Sequence, residues 1–148
     1  NEAINAFSEI YAGYPNAIKA PSVMLGDTIA SSTYWHGFAL NEWANDWVKL
    51  HSGGEGNFVT TGMEDTGTLT ALQRIDKIGK VDFDRILVLR TASNFSTPPL
   101  GKSVAWSLNA EYPANGVPAL EAAYNVAKVV VDELVKNWDS YENTIPNQ

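Results

Sequence analysis

The sequence predicts an α/β protein, a mostly parallel sheet flanked by helices. Apolar segments of strand length alternate along the chain with segments of helical period. The run Ile86-Leu87-Val88-Leu89 is aliphatic throughout, as expected of a strand covered on both faces. With 148 residues, 45% of them apolar and 11% aromatic, the chain has the material for one domain's core and none of the composition of a disordered one.

Taken in order, Ile4, Phe7, Ile10 and Tyr11 recur at helical spacing until Gly13 and Pro15 end the pattern. Val23-Met24-Leu25 reads as a short buried strand running into a Gly26-Asp27 turn. Ser32 or Thr33 stands where an N-cap belongs, ahead of a helix from Tyr34 to His51 with Leu40, Trp43, Ala44, Trp47 and Val48 on one face. SGGEGN (52–57) is a flexible turn, and NFVTTGM (57–63) is strand-like. Thr66 to Ile78 is a helix bearing Leu69, Leu72 and Ile75, with Gly79 as its C-cap. DRILVLRTAS (84–93) is the clearest buried strand, followed by the proline-rich loop FSTPPLGK (95–102). Leu120 to Trp138 closes the chain as a long helix with Ala123, Val126, Ala127, Val130, Leu134 and Trp138 on its inner side. The crossover between the strands near 58 and 88 is expected to be right-handed. Three strands are few for an open α/β sheet, so residues 1–148 are expected to be a single but incomplete domain portion.

Composition removes several classes of function. A net charge of −7 with no basic stripe argues against a nucleic-acid partner. Without cysteine there is neither a disulfide framework nor a thiolate metal site, and with two histidines no histidine-rich metal site is expected. No apolar run nears the roughly 18 residues that a membrane span needs. Asn1-Glu2-Ala3 lacks the basic start and apolar core of a signal peptide, and the first residue is not Met, so a processed chain or a fragment is expected. There is no Ser-His-Asp pattern and no GxGxxG.

In open parallel sheets ligands gather at the carboxyl ends of the strands. Three expected strands end in polar clusters: Gly26-Asp27-Thr28, Met63-Glu64-Asp65 and Thr91-Ala92-Ser93-Asn94. Each alone is ordinary loop chemistry; three on one edge point to a pocket. Glu64 either meets a polar ligand or simply favours the positive end of a helix, and Asp65 fits an N-cap or first-turn position better. Met63 is either a polarisable wall or core filler. Tyr34 and Trp35 either stack on a ligand or pack in the core. Asp27 could orient Thr28 or a loop amide. Asn94-Phe95-Ser96 is the chain's one glycosylation sequon, a weaker reading beside a pocket.

Met63-Glu64 before a small-residue helix, then a strand ending Arg90-Thr91-Ala92-Ser93-Asn94, resembles the nucleoside phosphorylase fold. More closely, GDTIASSTYWHG, WANDWVK, GNFVTTGMEDTGTL, DFDRILVLRTASNF and PALEAAYNVAKVVVDELVKNWD, in that order from about residue 21 to 146, resemble the purine nucleoside permease family. The resemblance implies a purine nucleoside ligand: Met63 and Glu64 on the ribose, Ser93 and Asn94 facing the base, and Tyr34 or Trp35 stacked on it. Uptake of purine nucleosides is the function it implies. The rivals are a nucleoside phosphorylase or hydrolase acting through Glu64 and Asn94, and a storage protein with a dead site. An amide at Asn94 can hydrogen-bond a leaving base but cannot protonate it. No cofactor is expected, with phosphate a co-substrate only of the enzyme. Arg90 is the one arginine near the expected pocket, and no phosphate wall is visible. The chain is therefore expected to be the C-terminal part of a longer protein, partnered by its N-terminal part, with a second copy of itself, in a homo-oligomer, as the alternative partner to consider. The family resemblance also suggests a secreted or cell-envelope location.

Overall fold

The computed structural model describes residues 8–111 and 116–145. Its sheet is a pair of parallel strands, β1 (Asp27–Ala30) and β2 (Phe58–Gly62). Asp27 lies opposite Phe58 and, past an irregularity, Thr28 pairs with Thr60, Ile29 with Thr61 and Ala30 with Gly62. Parallel strands cannot be joined by a tight turn, and the crossover here is the helix α1 (Phe38–His51), which packs on both. Next come α2 (Asp65–Asp76), α3 (Val104–Leu108), α4 (Val117–Lys136) and α5 (Trp138–Tyr141), with 3-10 turns at Pro15–Ile18 and Phe83–Arg85. The protein is mixed α/β, as the sequence predicts.

Local chemistry explains where the elements start and stop. α1 begins at Phe38 rather than Tyr34 because Gly37, at φ 97°, breaks the helical path just before it. That keeps Tyr34 and Trp35 in the loop after β1. α2 closes in a Schellman motif: Lys80 N–H donates to Ile75 O (3.2 Å) and Gly79 N–H to Asp76 O (2.7 Å), with Gly79 at φ 68° in the role expected of it. Ser103 caps α3, its Oγ accepting from Trp106 N–H. Between the strands, the Thr28 and Thr60 hydroxyls bond at 2.6 Å. Asp27 Oδ2 accepts from the Asn57 amide at 2.6 Å, the loop-orienting role considered for it. Of the expected first helix, residues 1–7 lie outside the described residues; residues 8–10 are helical, and the chain leaves the helix in a turn at 11–13, so Tyr11 stands in the turn and not in the helix.

Two expected strands need correction. Val23-Met24-Leu25 lies outside the sheet, with Leu25 95% exposed, and the strand starts at Asp27. Asp27 can begin it because its carboxylate ties down the incoming strand's first turn of chain. The Gly26-Asp27-Thr28 cluster is thus at the start of β1, not at its carboxyl end. Ile86–Leu89 is extended but belongs to no ladder, and no backbone group from Ile86 to Asn94 makes a hydrogen bond among the described residues. Leu87 and Val88 are 68% and 48% exposed, so the buried strand expected here is neither paired nor buried. The aliphatic pattern is that of a covered strand, but no neighbouring strand runs along it among the described residues.

Burial is sparse. Tyr11, His36, Ala44 and Ser107 are buried. Along α4 the stripe Ala123, Val126, Ala127 and Val130 is half-buried as expected, whereas Leu134 and Trp138, expected on the same side, are exposed. Across a cleft of about 890 Å³ from that helix stand β1, β2 and residues 88–92. Among the described residues no helix is long and apolar enough to cross a membrane.

Candidate functional site

The carboxyl ends of β1 and β2 and the polar end of the 86–94 segment meet around an open cleft of about 230 Å³. β1 delivers residues 33–35 to it, β2 delivers 59–64, and the extended segment delivers 90–94. All six residues singled out from the sequence, Tyr34, Trp35, Met63, Glu64, Ser93 and Asn94, line this one cleft. Asp27 lines the larger cleft instead.

Glu64 stands just ahead of α2 and does not cap it. Its Oε2 accepts from the Met63 amide at 3.1 Å and from Arg90 Nη2 at 3.2 Å, while Oε1 has no partner among the described residues. These donors, the Met63 amide foremost and Arg90 next, hold its pKa below the ordinary carboxylate value. Glu64 is therefore ionised at neutral pH with one oxygen free. Asp65 is the first residue of α2, as its first-turn reading had it, and its Oδ1 pairs with Arg90 Nη1 at 3.0 Å. Its other oxygen, Oδ2, is buried and unpartnered. Thr66 Oγ1 donates to Ala30 O, tying the start of α2 back to the end of β1. Met63, half-exposed in the cleft wall, is not core filler.

The opposite wall is amide and aromatic. Asn94 Nδ2 donates to Tyr34 Oη at 2.8 Å, and Asn94 Oδ1 accepts from Ser93 Oγ at 3.0 Å. The Tyr34 ring stacks at 12° on His36, centroids 5.7 Å apart. His36 is buried, neither ring nitrogen has a partner, and burial lowers its pKa. Trp35 divides between the two readings weighed for it: it lines the cleft, yet it stacks on Trp43 at 5.0 Å and donates from Nε1 to Ser31 Oγ at 3.2 Å. Trp43 in turn stacks on Trp47 at 4.8 Å.

A clasp places this wall. Asn41 Nδ2 donates to both Gly37 O and Ser96 O at 2.8 Å, and Ser96 Oγ donates to Asn41 Oδ1 at 2.7 Å. Gly37 N–H adds a bond to Ser96 O at 2.8 Å. One turn further, Tyr11 packs on Phe95 at 4.2 Å and donates to Thr97 O at 3.1 Å. Residues 94–97 are thus pinned to the start of α1, which holds Asn94 against Tyr34. Among the described residues no group of three or more His, Asp or Glu side chains is arranged to hold a metal ion.

The family model for purine nucleoside permease matches residues 1–146. The chain belongs to the purine nucleoside permease family. A purine nucleoside permease of Candida albicans strain SC5314 is 34% identical over 125 residues, covering 83% of this chain and 30% of the relative. A second Candida albicans purine nucleoside permease is 33% identical over 120 residues, covering 80% and 29%. A probable purine nucleoside permease of Schizosaccharomyces pombe is 24% identical over 139 residues, covering 93% and 39%. The chain therefore spans between about three-tenths and two-fifths of the length of these relatives. No solved structure matches it.

Within this chain the residues that sequence reasoning undervalued are Arg90, Asn41 and Ser96. Arg90 had a signal: it is the one cation at an otherwise aliphatic strand's end, opposite two adjacent carboxylates at the end of another. Asn41 and Ser96 lie 55 positions apart, and nothing in either segment announces their pairing.

Proposed function

We propose that the cleft at the strand ends binds a purine nucleoside, and that the chain serves purine nucleoside uptake as part of a longer protein. The observation that carries this reading is Glu64: an ionised carboxylate whose Oε2 is held by two N–H donors while Oε1 is free. A ribose presents vicinal hydroxyls, and such a carboxylate accepts from them in charge-assisted bonds. Across the cleft, Asn94 offers an amide, and the Tyr34 ring beside it offers a face to a base. Met63 supplies an apolar wall between the two. The names of the relatives support the ligand class, and the opposed polar and aromatic walls support the way it is held.

The open apolar surface around Ile86–Leu89 and α4 belongs, in this reading, against the N-terminal part of the same protein. That part would bring the strands that the extended segment lacks.

Titration of inosine and adenosine into the protein by calorimetry tests the binding reading. Saturable heat that disappears in Glu64→Ala is expected; no heat from either nucleoside overturns it. The same samples, incubated with and without phosphate, are assayed for free purine. Released base would make the protein an enzyme, with phosphate its co-substrate if release depends on it.

A further inference from the structure

Arg90 ends the aliphatic run and turns its guanidinium back over the end of β2. There it touches Glu64 through Nη2 and Asp65 through Nη1, at 3.2 and 3.0 Å. The space it occupies lies directly above Gly62. A Cβ at that position would fall 2.6 Å from Nη2 and 3.2 Å from Cζ. Gly62 has an ordinary φ, so its backbone does not demand glycine; the room for Arg90 does.

We infer that Arg90 is a positioning residue for Glu64 and that it sets the cleft's preference for hydroxyl-bearing over phosphate-bearing ligands. This rests on the nucleoside reading and names how that site discriminates. The Glu64 side chain is 68% exposed. Left alone, such a side chain samples several rotamers, and each bond to a ligand would have to order it first. Arg90 Nη2 and the Met63 amide converge on Oε2 and fix the carboxylate, leaving Oε1 free for a ligand hydroxyl, while Nη1 is anchored on Asp65 Oδ1. Both arms of Arg90 are committed to carboxylates, and it is the one cation among the described residues lining the cleft. Two carboxylates and one guanidinium leave a net charge of −1 at the strand ends. A phosphate ester therefore meets repulsion, with no free cation to receive it.

The test uses the protein and its Arg90→Gln, Arg90→Lys and Gly62→Ala variants. The alanine is the gentle probe, because its methyl displaces the tip of a flexible side chain rather than backbone. The carboxyl ¹³C shift of Glu64 is followed against pH in each. In parallel, inosine, 2′,3′-dideoxyinosine and inosine 5′-monophosphate are titrated in. The wild type is expected to prefer inosine over the dideoxy compound by about tenfold or more, the scale of a bond to a charged acceptor, and to bind the monophosphate more weakly than inosine. In Arg90→Gln and Gly62→Ala the inosine preference collapses while affinity for dideoxyinosine stays, and the Glu64 titration midpoint rises. Arg90→Lys recovers part of both. A merely structural role would weaken all three ligands together and leave the Glu64 midpoint in place. That result overturns the inference, as does a wild type that binds the monophosphate as tightly as inosine. If no nucleoside binds any variant, the nucleoside reading falls. The Glu64 midpoint then decides separately whether Arg90 holds that carboxylate: unmoved in Arg90→Gln, it overturns the positioning role; raised, it upholds it.

Discussion

The two halves of the stretch from Ile86 to Asn94 behave in opposite ways. Its polar half, Arg90 to Asn94, is tied to two other parts of the chain by side-chain bonds: Arg90 to Glu64 and Asp65 at the start of α2, and Asn94 to Tyr34 in the loop after β1. Its apolar half, Ile86 to Leu89, carries aliphatic side chains into the open and, with no side-chain bond to help it, makes no backbone bond among the described residues. α4 shares that exposure, with Val129 and Val135 at 69% and 73% exposed. Polar side chains reach across a gap and fix geometry one pair at a time. Aliphatic side chains gain only by losing water over a continuous surface, and extended backbone gains only from a partner strand. The cleft can therefore be assembled by the residues described, while the apolar side stays open among them. A soluble monomer seldom leaves so much contiguous apolar area uncovered.

The largest effect should come from charging the apolar side. If that side is covered in the protein, Val88→Asp buries an unpaired carboxylate and should cost about 3 kcal/mol or more of stability. If it stays in water, the same change should fall within about 0.5 kcal/mol. Urea unfolding of the two proteins separates these outcomes, and a near-neutral Val88→Asp would erase the contrast between the halves.

Next in size is a change within the polar half's own bonds. Glu64→Ala should weaken inosine binding about tenfold or more, because it removes a charged acceptor. Asp65→Ala should affect affinity less, since its carboxylate bonds Arg90 beneath α2 and does not itself line the small cleft. Calorimetric titration of both variants ranks them. Equal losses would mean that the carboxylates act as one unit through Arg90.

Legibility in the sequence follows the same division. The long helices α2 and α4 were readable because a half-buried stripe or a local end signal marks them: Gly79 closes α2, and Ala123 to Val130 marks the stripe of α4, whereas the short α3 was not foreseen. The residues that line the cleft were readable because strand ends and their polar residues are local too. The β1 strand was misplaced by four residues because Val23-Met24-Leu25 is the more apolar stretch, while DTIA is set by the Asp27–Asn57 and Thr28–Thr60 bonds across 30 and 32 positions. Such pairings leave no trace in either segment alone. The aliphatic run at 86–89 was read as buried on both faces, a property of what surrounds it and not of the run itself. Likewise, Arg90's grip on two carboxylates and the Asn41–Ser96 clasp depend on the fold having already brought them together.

A smaller effect is expected at the amide wall. Asn94→Asp keeps the shape and can accept from both the Tyr34 hydroxyl and Ser93 Oγ, so stability should change little. Its charge, however, repels a 6-oxo group and attracts a 6-amino group. The ratio of inosine to adenosine affinity should fall by about tenfold, the scale of one charged hydrogen bond. Competition calorimetry with the two nucleosides reads that ratio, and an unchanged value would take Asn94 away from the base.

The smallest effect expected is a pH dependence behind that wall. His36 is buried beneath Tyr34 with both ring nitrogens unpartnered, and burial lowers its pKa below the usual 6.5. The native state therefore resists a proton that the unfolded chain accepts. Above pH about 6.5 both states hold a neutral imidazole and the residue adds no pH dependence. As pH falls below that value, the unfolded state takes up the proton first and stability declines, by less than about 1.4 kcal/mol per pH unit for a single group. The decline levels off once pH passes the lowered native value, where both states are protonated. His36→Phe keeps a flat ring against Tyr34, gives up no hydrogen bond and removes the titrating group. Subtracting its stability profile from the wild type's, in urea melts between pH 7.5 and 4.5, should leave a drop that starts near pH 6.5. Inosine affinity over the same range should follow it only weakly, because His36 supports the Tyr34 ring without lining the cleft. Parallel stability profiles for the two proteins would show that the imidazole reaches water or a partner in solution, and the support for Tyr34 would then be looser than the cleft's other walls.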